Sequence, residues 1–193
     1  MREKKPFMVE FTGTPEAGKT TAIKVVSNML ENAGHSVMIL EESAEKLPKE
    51  IPKGTFDANL WMHFITQAGI LKAQHSLVDI VLIDRGIIDS KFYAWKFFHE
   101  NEASVKEYEY FKKTCLSEVN PDLLLGLIVS PSTALKRRGA EGKIVKEEYI
   151  KKYNKYFCDF FNDTTLRKSL IKTDELQISE MNELIYKIIS DAL

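Results

Sequence analysis

At 193 residues the chain is long enough for one well-cored α/β domain and too short for two comfortable ones. Its 44% hydrophobic and 28% charged residues are ordinary for a soluble globular protein, and no stretch approaches the roughly 18 apolar residues of a membrane span. A formal net charge of −1 lacks the basic excess of a protein that lives on nucleic acid.

In chain order, short apolar runs alternate with longer amphipathic stretches, the signature of a wound parallel sheet. Residues Met1 to Pro6 are basic but lack the apolar run of a signal peptide, so the expected compartment is the cytosol. Phe7 to Phe11 forms the first predicted strand, and a glycine-rich loop follows it. A helix runs from about Lys19 to Asn32 with Ile23, Val26, Met29 and Leu30 on one face, and Gly34 stands where a C-terminal cap glycine belongs. Val37 to Leu40 is the second strand and ends in Glu41-Glu42. Leu47 to Asp57 is a loop punctuated by Pro48, Pro52 and Gly54. A long helix is predicted over Asn59 to Leu77. Ile80 to Ile83 is the third strand, apolar throughout as expected of a sheet covered on both faces, and ends at Asp84-Arg85-Gly86.

One or two helices fill Ser90 to Val119. Their aromatic residues, from Phe92, Tyr93, Trp95, Phe97 and Phe98 to Tyr108, Tyr110 and Phe111, suit a core, a homodimer interface or a pocket wall, with helical packing explaining most of them. After the Asn120-Pro121 break comes the fourth strand, Leu123 to Val129. A short helix covers Thr133 to Arg138, Gly139 to Lys143 interrupts it, and Lys146 to Phe161 resumes. Leu170 to Lys172 is a fifth strand, and a last helix runs from about Ser179 to Leu193. Cys115 and Cys158 lie far apart and read as reduced, half-buried thiols, with neither a disulfide framework nor zinc-ligand spacing.

The segment Gly13-Thr14-Pro15-Glu16-Ala17-Gly18-Lys19-Thr20, followed by Thr21, satisfies the spacing Gly-x-x-x-x-Gly-Lys-Thr, the Walker A pattern, without a substitution. Gly13 and Gly18 permit backbone angles that let successive N–H groups curl around phosphate oxygens. The helix starting near Lys19 points its positive end at the same anion. Lys19 then reaches the β- and γ-phosphates, and the Thr20 hydroxyl ligates Mg²⁺. The expected cofactors are therefore ATP and Mg²⁺.

Ligands of open α/β sheets bind beyond the carboxyl ends of the strands, which makes the ends of strands two and three important. Asp84, closing an apolar strand, fits a second Mg²⁺ contact, with a helix N-cap or a solvated turn as the lesser alternative. Arg85 beside the phosphates can clamp a carboxylate or stabilise charge on a transferring phosphoryl group. Glu42 can orient or deprotonate an attacking hydroxyl; Glu41 is its near neighbour, and either can face the cleft. Lys136-Arg137-Arg138-Gly139-Ala140-Glu141-Gly142-Lys143, within a segment of about 136–146, reads as a basic lid over the triphosphate or as a basic helix end capped by glycine.

Together these residues resemble the P-loop nucleoside and nucleotide kinases, the group that includes deoxynucleoside kinases and thymidylate kinase. Phe11 to Thr21 is similar to the first strand and loop of those kinases, and Asp84-Arg85-Gly86 is similar to their Asp/Glu-Arg-Ser or Asp-Arg-Tyr signature. Asp89 to Ala94, the Thr133 to Arg138 segment, Glu148-Tyr149-Ile150, Tyr153 and Tyr156 continue the likeness. Small bacterial ATP-binding proteins with an Asp-Arg-Gly signature are similar too. The resemblance implies a three-layer α/β sandwich, a single domain over 1–193, with a mostly parallel five-stranded sheet in the order 2-3-1-4-5. It implies that Glu42 activates the acceptor hydroxyl, that Arg85 sits beside it, that Arg137 and Arg138 are lid arginines, and that Trp61, Phe64 and Gln67 line the acceptor pocket, with Gln67 on a nucleobase edge. Departures are Ser43 where proline usually follows the glutamate, Gly86 in place of serine or tyrosine, and a short lid.

The activity expected is a Mg·ATP-dependent phosphotransferase acting on a small acceptor, a nucleoside or nucleotide, with no membrane partner. Two alternatives are a P-loop NTPase acting as a switch on a protein partner, and a kinase acting on a modified nucleic acid. The first lacks an added domain, and Asn154-Lys155-Tyr156-Phe157 lacks the aspartate of a guanine-specific motif. The second fits poorly with the near-neutral charge.

Overall fold

The computed structural model describes residues 5–116, 119–138 and 146–193, with the side chains of Ser43 and Glu45 left aside. Among these residues five strands form one sheet in the order β2-β3-β1-β4-β5, and every neighbouring pair is parallel. They are β1 (Phe7–Gly13), β2 (Val37–Leu40), β3 (Ile80–Asp84), β4 (Leu123–Ile128) and β5 (Lys168–Lys172). The order is the one the resemblance implied. Phe11 lies opposite Asp84 and Gly13 opposite Leu127, so the central strand delivers its loop between the ends of its two neighbours. This is where successive strands leave to opposite sides of β1, the crevice in which such sheets take ligands.

Helices cover both faces because both faces of a parallel sheet are apolar. They are α1 (Lys19–Asn32), α2 (Phe56–Gln74), α3 (Ile87–His99), α4 (Val105–Thr114), α5 (Pro131–Arg138), α6 (Glu147–Asp163) and α7 (Ile178–Ser190). Val9 and Phe11 of β1 pack with Leu82, Leu125 and Leu127 under Ile23 and Leu30 of α1 and Ile185 and Ile189 of α7. On the other face Met8, Val81 and Ile83 meet Ile70 of α2 and Ile87 of α3, while Leu124 lies under Phe92 of α3 and Tyr153, Phe157 and Phe161 of α6. The strand period of two therefore sends Met8, Glu10 and Thr12 toward α3. Glu10 is the anomaly in that row, a carboxylate with no exposure at all.

Several boundaries move from their expected places for local reasons. The long helix begins at Phe56, not Asn59, because Thr55 caps it, its Oγ1 accepting from Ala58 N at 3.2 Å. It ends at Gln74, and Leu77 beyond it is 96% exposed. A short 3₁₀ turn at Ser43–Lys46 follows the second strand. The segment from Ser90 divides into α3 and α4, with Ser104 and Glu107 forming a capping box at the start of α4. Its aromatic residues mostly serve packing: Phe97 and Phe111 join Phe56 in one cluster, and Phe98 stacks on Tyr108 with ring centroids 4.7 Å apart. Glu100 at the end of α3 bridges Lys96 and Lys152, the latter at 2.7 Å, and so ties α3 to α6. Cys115 and Cys158 are free and half-buried. Among the described residues no helix is long and apolar enough to cross a membrane.

One buried polar knot joins α2 to the end of α4. Gln67 Oε1 accepts from Leu116 N at 3.2 Å and its Nε2 donates to Thr114 O at 3.0 Å, which fixes the orientation of the amide. The same Nε2 lies 2.9 Å from His63 Nε2, so that ring nitrogen must accept and the ring proton sits on Nδ1, which has no partner. Burial lowers the His63 pKa to about 4, so the folded protein holds a neutral imidazole where the unfolded chain, with an ordinary value near 6.5, takes up a proton. Because the folded value is depressed, this group's contribution is present above the unfolded pKa and lost as pH falls toward 4. The His63 part of the pH dependence, followed by urea unfolding, should therefore lower wild-type stability relative to His63→Leu as pH falls from 6.5 to 4, and the variant should lack that slope. An unchanged slope in the variant would remove His63 as its cause.

Candidate functional site

The loop between β1 and α1 is shaped by two glycines for different reasons. Gly13 has φ of 120° and no room for a side chain: a Cβ there would lie 2.1 Å from the Leu127 carbonyl oxygen of β4. Gly18 has φ of 91°, the left-handed region, and precedes α1 with no side-chain cap. The first N–H groups of α1 are thereby left for an anion. The other loop residues are Thr14, Pro15, Glu16 and Ala17; Glu16 also has a positive φ, 63°. Thr14 Oγ1 donates to Asn154 Oδ1 of α6 at 2.6 Å, and Asn154 Nδ2 donates to Val129 O at 2.8 Å. Tyr153, the preceding residue, donates its hydroxyl to Gly13 O at 3.0 Å. Helix α6 therefore holds the loop from behind.

Lys19 is buried, and its Nζ donates to Gly13 O at 3.1 Å and Thr14 O at 2.8 Å. Burial, with Arg85 adding repulsion, pushes its ammonium down to about 7, against the pull of Asp89, Asp84 and Glu42. A polyanion in the loop would reverse that balance and favour the charged form.

Thr20 and Asp84 meet at the sheet edge, Thr20 Oγ1 donating to Asp84 Oδ2 at 2.6 Å. The second carboxylate oxygen, Asp84 Oδ1, is buried with no hydrogen-bond partner. A buried carboxylate oxygen left unsatisfied beside a hydroxyl is the donor set that a hard divalent cation such as Mg²⁺ takes, usually with waters completing the shell. The residues present thus fit the metal. Thr21 follows on the exposed side of α1.

Arg85 carries φ of 58°, a strained value for a residue with a Cβ, and this turns its guanidinium into the crevice. Its Nε lies 3.2 Å from Glu42 Oε1, and its Nη1 donates to Asp89 Oδ1 at 3.2 Å and Oδ2 at 3.3 Å. Burial alone would lower its pKa, but Asp89, Tyr93, Tyr153 and Glu42 raise it further, so it remains a cation. Burial raises the Glu42 pKa, with Arg85 opposing, which leaves a carboxylate more basic than usual. Of the two neighbouring glutamates it is Glu42 that faces Arg85; Glu41 is exposed.

A cavity of about 240 Å³ opens beside this triad, its floor formed by Glu42, Arg85 and Asp89. Ala58, Asn59, Met62 and Thr66 of α2 form one wall, and Tyr93 and Phe97 of α3 with Tyr149 of α6 form the other. Lys53 and Thr55 stand on the rim loop. Helix α2 does line the cavity, but with a different face from the one expected. Trp61, Phe64 and Gln67 are not among the lining residues: Phe64 is 44% exposed, and Gln67 is committed to the backbone at the end of α4. Asn59 and Thr66, one helical face away, replace them.

The expected lid arginines lie at the outer rim of the loop. Arg137 donates to Thr173 Oγ1 at 2.9 Å, to Thr173 O at 2.5 Å and to Glu16 O at 3.3 Å. Arg138 sits beside Pro15 and Glu16. The remainder of the expected lid, 139–145, is outside the described residues.

Three residues of the site carry no role in the sequence reading: Asp89, which has only a place in the family likeness, Glu10 and Thr12. Asp89 stands four residues after Arg85, the spacing of a helical ion pair, and that was the available signal. Thr12 Oγ1 donates to Asp89 Oδ1 at 2.5 Å. Glu10 accepts from Ile88 N at 3.1 Å and Asp89 N at 2.8 Å, and burial pushes its pKa up to about 7 despite those two bonds. An acidic residue inside an otherwise apolar strand was its only mark.

No family model matches the chain. It is similar to the thymidylate kinases of Thermoanaerobacter sp. (strain X514) and Thermoanaerobacter pseudethanolicus (strain ATCC 33223 / 39E), each 23% identical over 168 residues, covering 74% of this chain and 81% of theirs. Among solved structures it is similar to deoxyadenosine kinase from M. mycoides with the products dCMP and a flexible dCDP bound, at a TM-score of 0.75 and 21% identity over 96% of this chain and 100% of that one. The same kinase with bound dATP superposes with a TM-score of 0.74 over 95% and 99%. The chain therefore has the fold of the P-loop nucleoside and nucleotide kinases, and the resemblance extends from the loop to the whole sheet.

The orphaned oxygen of Asp84 makes a direct prediction. Asp84→Asn should raise the Mg²⁺ concentration needed for half-maximal nucleotide turnover by about tenfold or more, while the unfolding temperature stays near wild type. A Mg²⁺ titration that superposes on wild type would remove Asp84 from the metal site.

Proposed function

We propose that the protein is a Mg·ATP-dependent kinase that moves the γ-phosphoryl group to a hydroxyl of a small acceptor, a nucleoside in the first instance. The observation that carries this is the position of Glu42. Its carboxylate touches Arg85 and lines both the cavity walled by α2 and α3 and the neighbouring groove containing Thr20 and Asp84. One group thus stands where an acceptor hydroxyl and a donor phosphate would meet.

In this reading the backbone of Gly13 to Thr20 and the Lys19 ammonium hold the phosphates, while Thr20 and Asp84 hold the cation. A bound Mg²⁺ supplies charge neutralisation on the phosphate oxygens. Glu42 takes the proton from the acceptor hydroxyl as its oxygen bonds to the γ-phosphorus and the bridging bond to ADP breaks. Arg85 stabilises the charge spread over the transferring group. Catalysis is then chiefly positioning and electrostatics, with no covalent role for the protein.

Charge on the cavity wall favours a neutral acceptor over a nucleoside monophosphate. Its two carboxylates, Glu42 and Asp89, are both held by Arg85, which leaves Lys53 as the other cation among the described lining residues. A phosphate monoester dianion entering there would lie beside two carboxylates with one exposed lysine to compensate. The apolar and aromatic walls, by contrast, suit a base and sugar.

An acceptor panel of nucleosides and their monophosphates, read by ADP release, tests this. One or more nucleosides should accelerate turnover well above the rate with ATP alone, and Glu42→Gln should lower that kcat by about 10²- to 10⁴-fold with little change in ATP affinity. Acceleration by monophosphates alone would move the acceptor to the nucleotides. Acceleration only by a protein or a nucleic acid would defeat the small-molecule kinase.

A further inference from the structure

Glu10 is a fully buried carboxyl group near the site that the reaction above does not use. It lies on β1, has no exposure, and cannot touch a substrate. Both of its carboxylate oxygens are spent on the start of α3: Oε2 accepts from Ile88 N at 3.1 Å and Oε1 from Asp89 N at 2.8 Å. These are two of the N–H groups that an α-helix leaves unsatisfied at its first turn, normally taken up by the side chain of the residue just before the helix. Here that residue is Gly86, which has no side chain to offer.

Gly86 is not a glycine because of a left-handed backbone: its φ is −97°. What excludes a side chain is Glu10 itself: a Cβ on Gly86 would lie 2.4 Å from Glu10 Oε2 and 2.6 Å from its carboxyl carbon. The glutamate and the glycine are therefore one unit. A carboxylate from a neighbouring strand does the work of a helix cap, and the natural capping position is emptied to admit it.

The consequence runs straight to the reacting centre. Asp89, whose backbone Glu10 holds, has its carboxylate fixed by Thr12 and in turn grips both oxygens against Arg85 Nη1. Arg85 then meets Glu42. We propose that Glu10 is a positioning residue for phosphoryl transfer, capping α3 across the sheet in place of a side chain at Gly86 and so setting Asp89, and through it Arg85, against Glu42. This rests on the kinase function proposed above.

The pair can be exchanged for an ordinary cap. Serine at position 86 would supply a hydroxyl to the same N–H groups once the glutamate is shortened. Four full-length proteins decide the matter: wild type, Glu10→Ala, Gly86→Ser, and the double variant. Each is measured for urea midpoint, ATP affinity and kcat with the best acceptor from the panel. Each single variant should lose about 100-fold in kcat with ATP affinity within about threefold of wild type, because the P-loop is untouched while Arg85 is misplaced. The double variant should recover to within about tenfold of wild type. Singles that are less stable yet keep wild-type kcat would overturn the proposal, as would a double variant no better than the worse single. Should Glu10→Ala fail to fold, Glu10→Gln gives the same reading, its amide unable to accept both N–H bonds: kcat must fall about tenfold or more at unchanged ATP affinity, and wild-type kcat would overturn the proposal. A wild-type protein that no acceptor accelerates would count against the kinase function alone. The same variants are then ranked by basal Mg·ATP hydrolysis, where an equal rate in wild type and Glu10→Ala would sink Glu10 as a positioning residue.

Discussion

A guanidinium largely withdrawn from solvent, its side chain 14% exposed, at the carboxyl edge of a parallel sheet is the constraint around which this site is organised. Arg85 sits in a left-handed backbone conformation, deep enough that its charge has to be matched locally, and two carboxylates, Glu42 and Asp89, do so at 3.2 Å each. Such a pair of contacts offsets the cost of burying the charge only if all three groups are held in place. The fold supplies the holding: the turn after β2 brings Glu42, and the first turn of α3 brings Asp89. A preorganised cation costs no rearrangement at the moment charge develops on a substrate, which is where electrostatic catalysis gains most.

The glycine-rich loop depends on a different support. Gly13 touches the backbone of β4 so closely that no other residue fits, and Tyr153 and Asn154 of α6 hold Gly13 and Thr14 from the far side. The loop is thus shaped before any phosphate arrives. Lys19 donates to Gly13 O and Thr14 O, and Gly13 O also accepts from the Tyr153 hydroxyl. Helix α6 also supplies Tyr149 to the cavity beside Glu42, so one helix touches both the loop and the cavity.

Much of this was legible in the sequence because it depends on local pattern. Five apolar runs and the glycine-rich loop gave the sheet, and the acidic ends of the second and third strands marked Glu42 and Asp84. What was hidden depends on contacts between distant segments. The phase of α2 is an example: Trp61, Phe64 and Gln67 follow one another at helical spacing, and only packing against α4 decides that Gln67 turns away from the cavity while Asn59 and Thr66 face it. That helix is apolar nearly all round, so periodicity carried no signal about which side faces the ligand. Glu10 was hidden in the same way. Gly86 looked like a departure from the serine or tyrosine of similar kinases, and its meaning emerges only with a carboxylate 76 residues earlier in the chain occupying its side-chain space.

The destination of the γ-phosphoryl group tests the kinase function most directly. A single-turnover reaction of the wild-type protein with Mg²⁺, γ-labelled ATP and a mixture of nucleosides, resolved by chromatography, measures that destination. Label appearing in a nucleoside monophosphate is the predicted result. Label appearing only in orthophosphate, with every nucleoside unchanged, would contradict it.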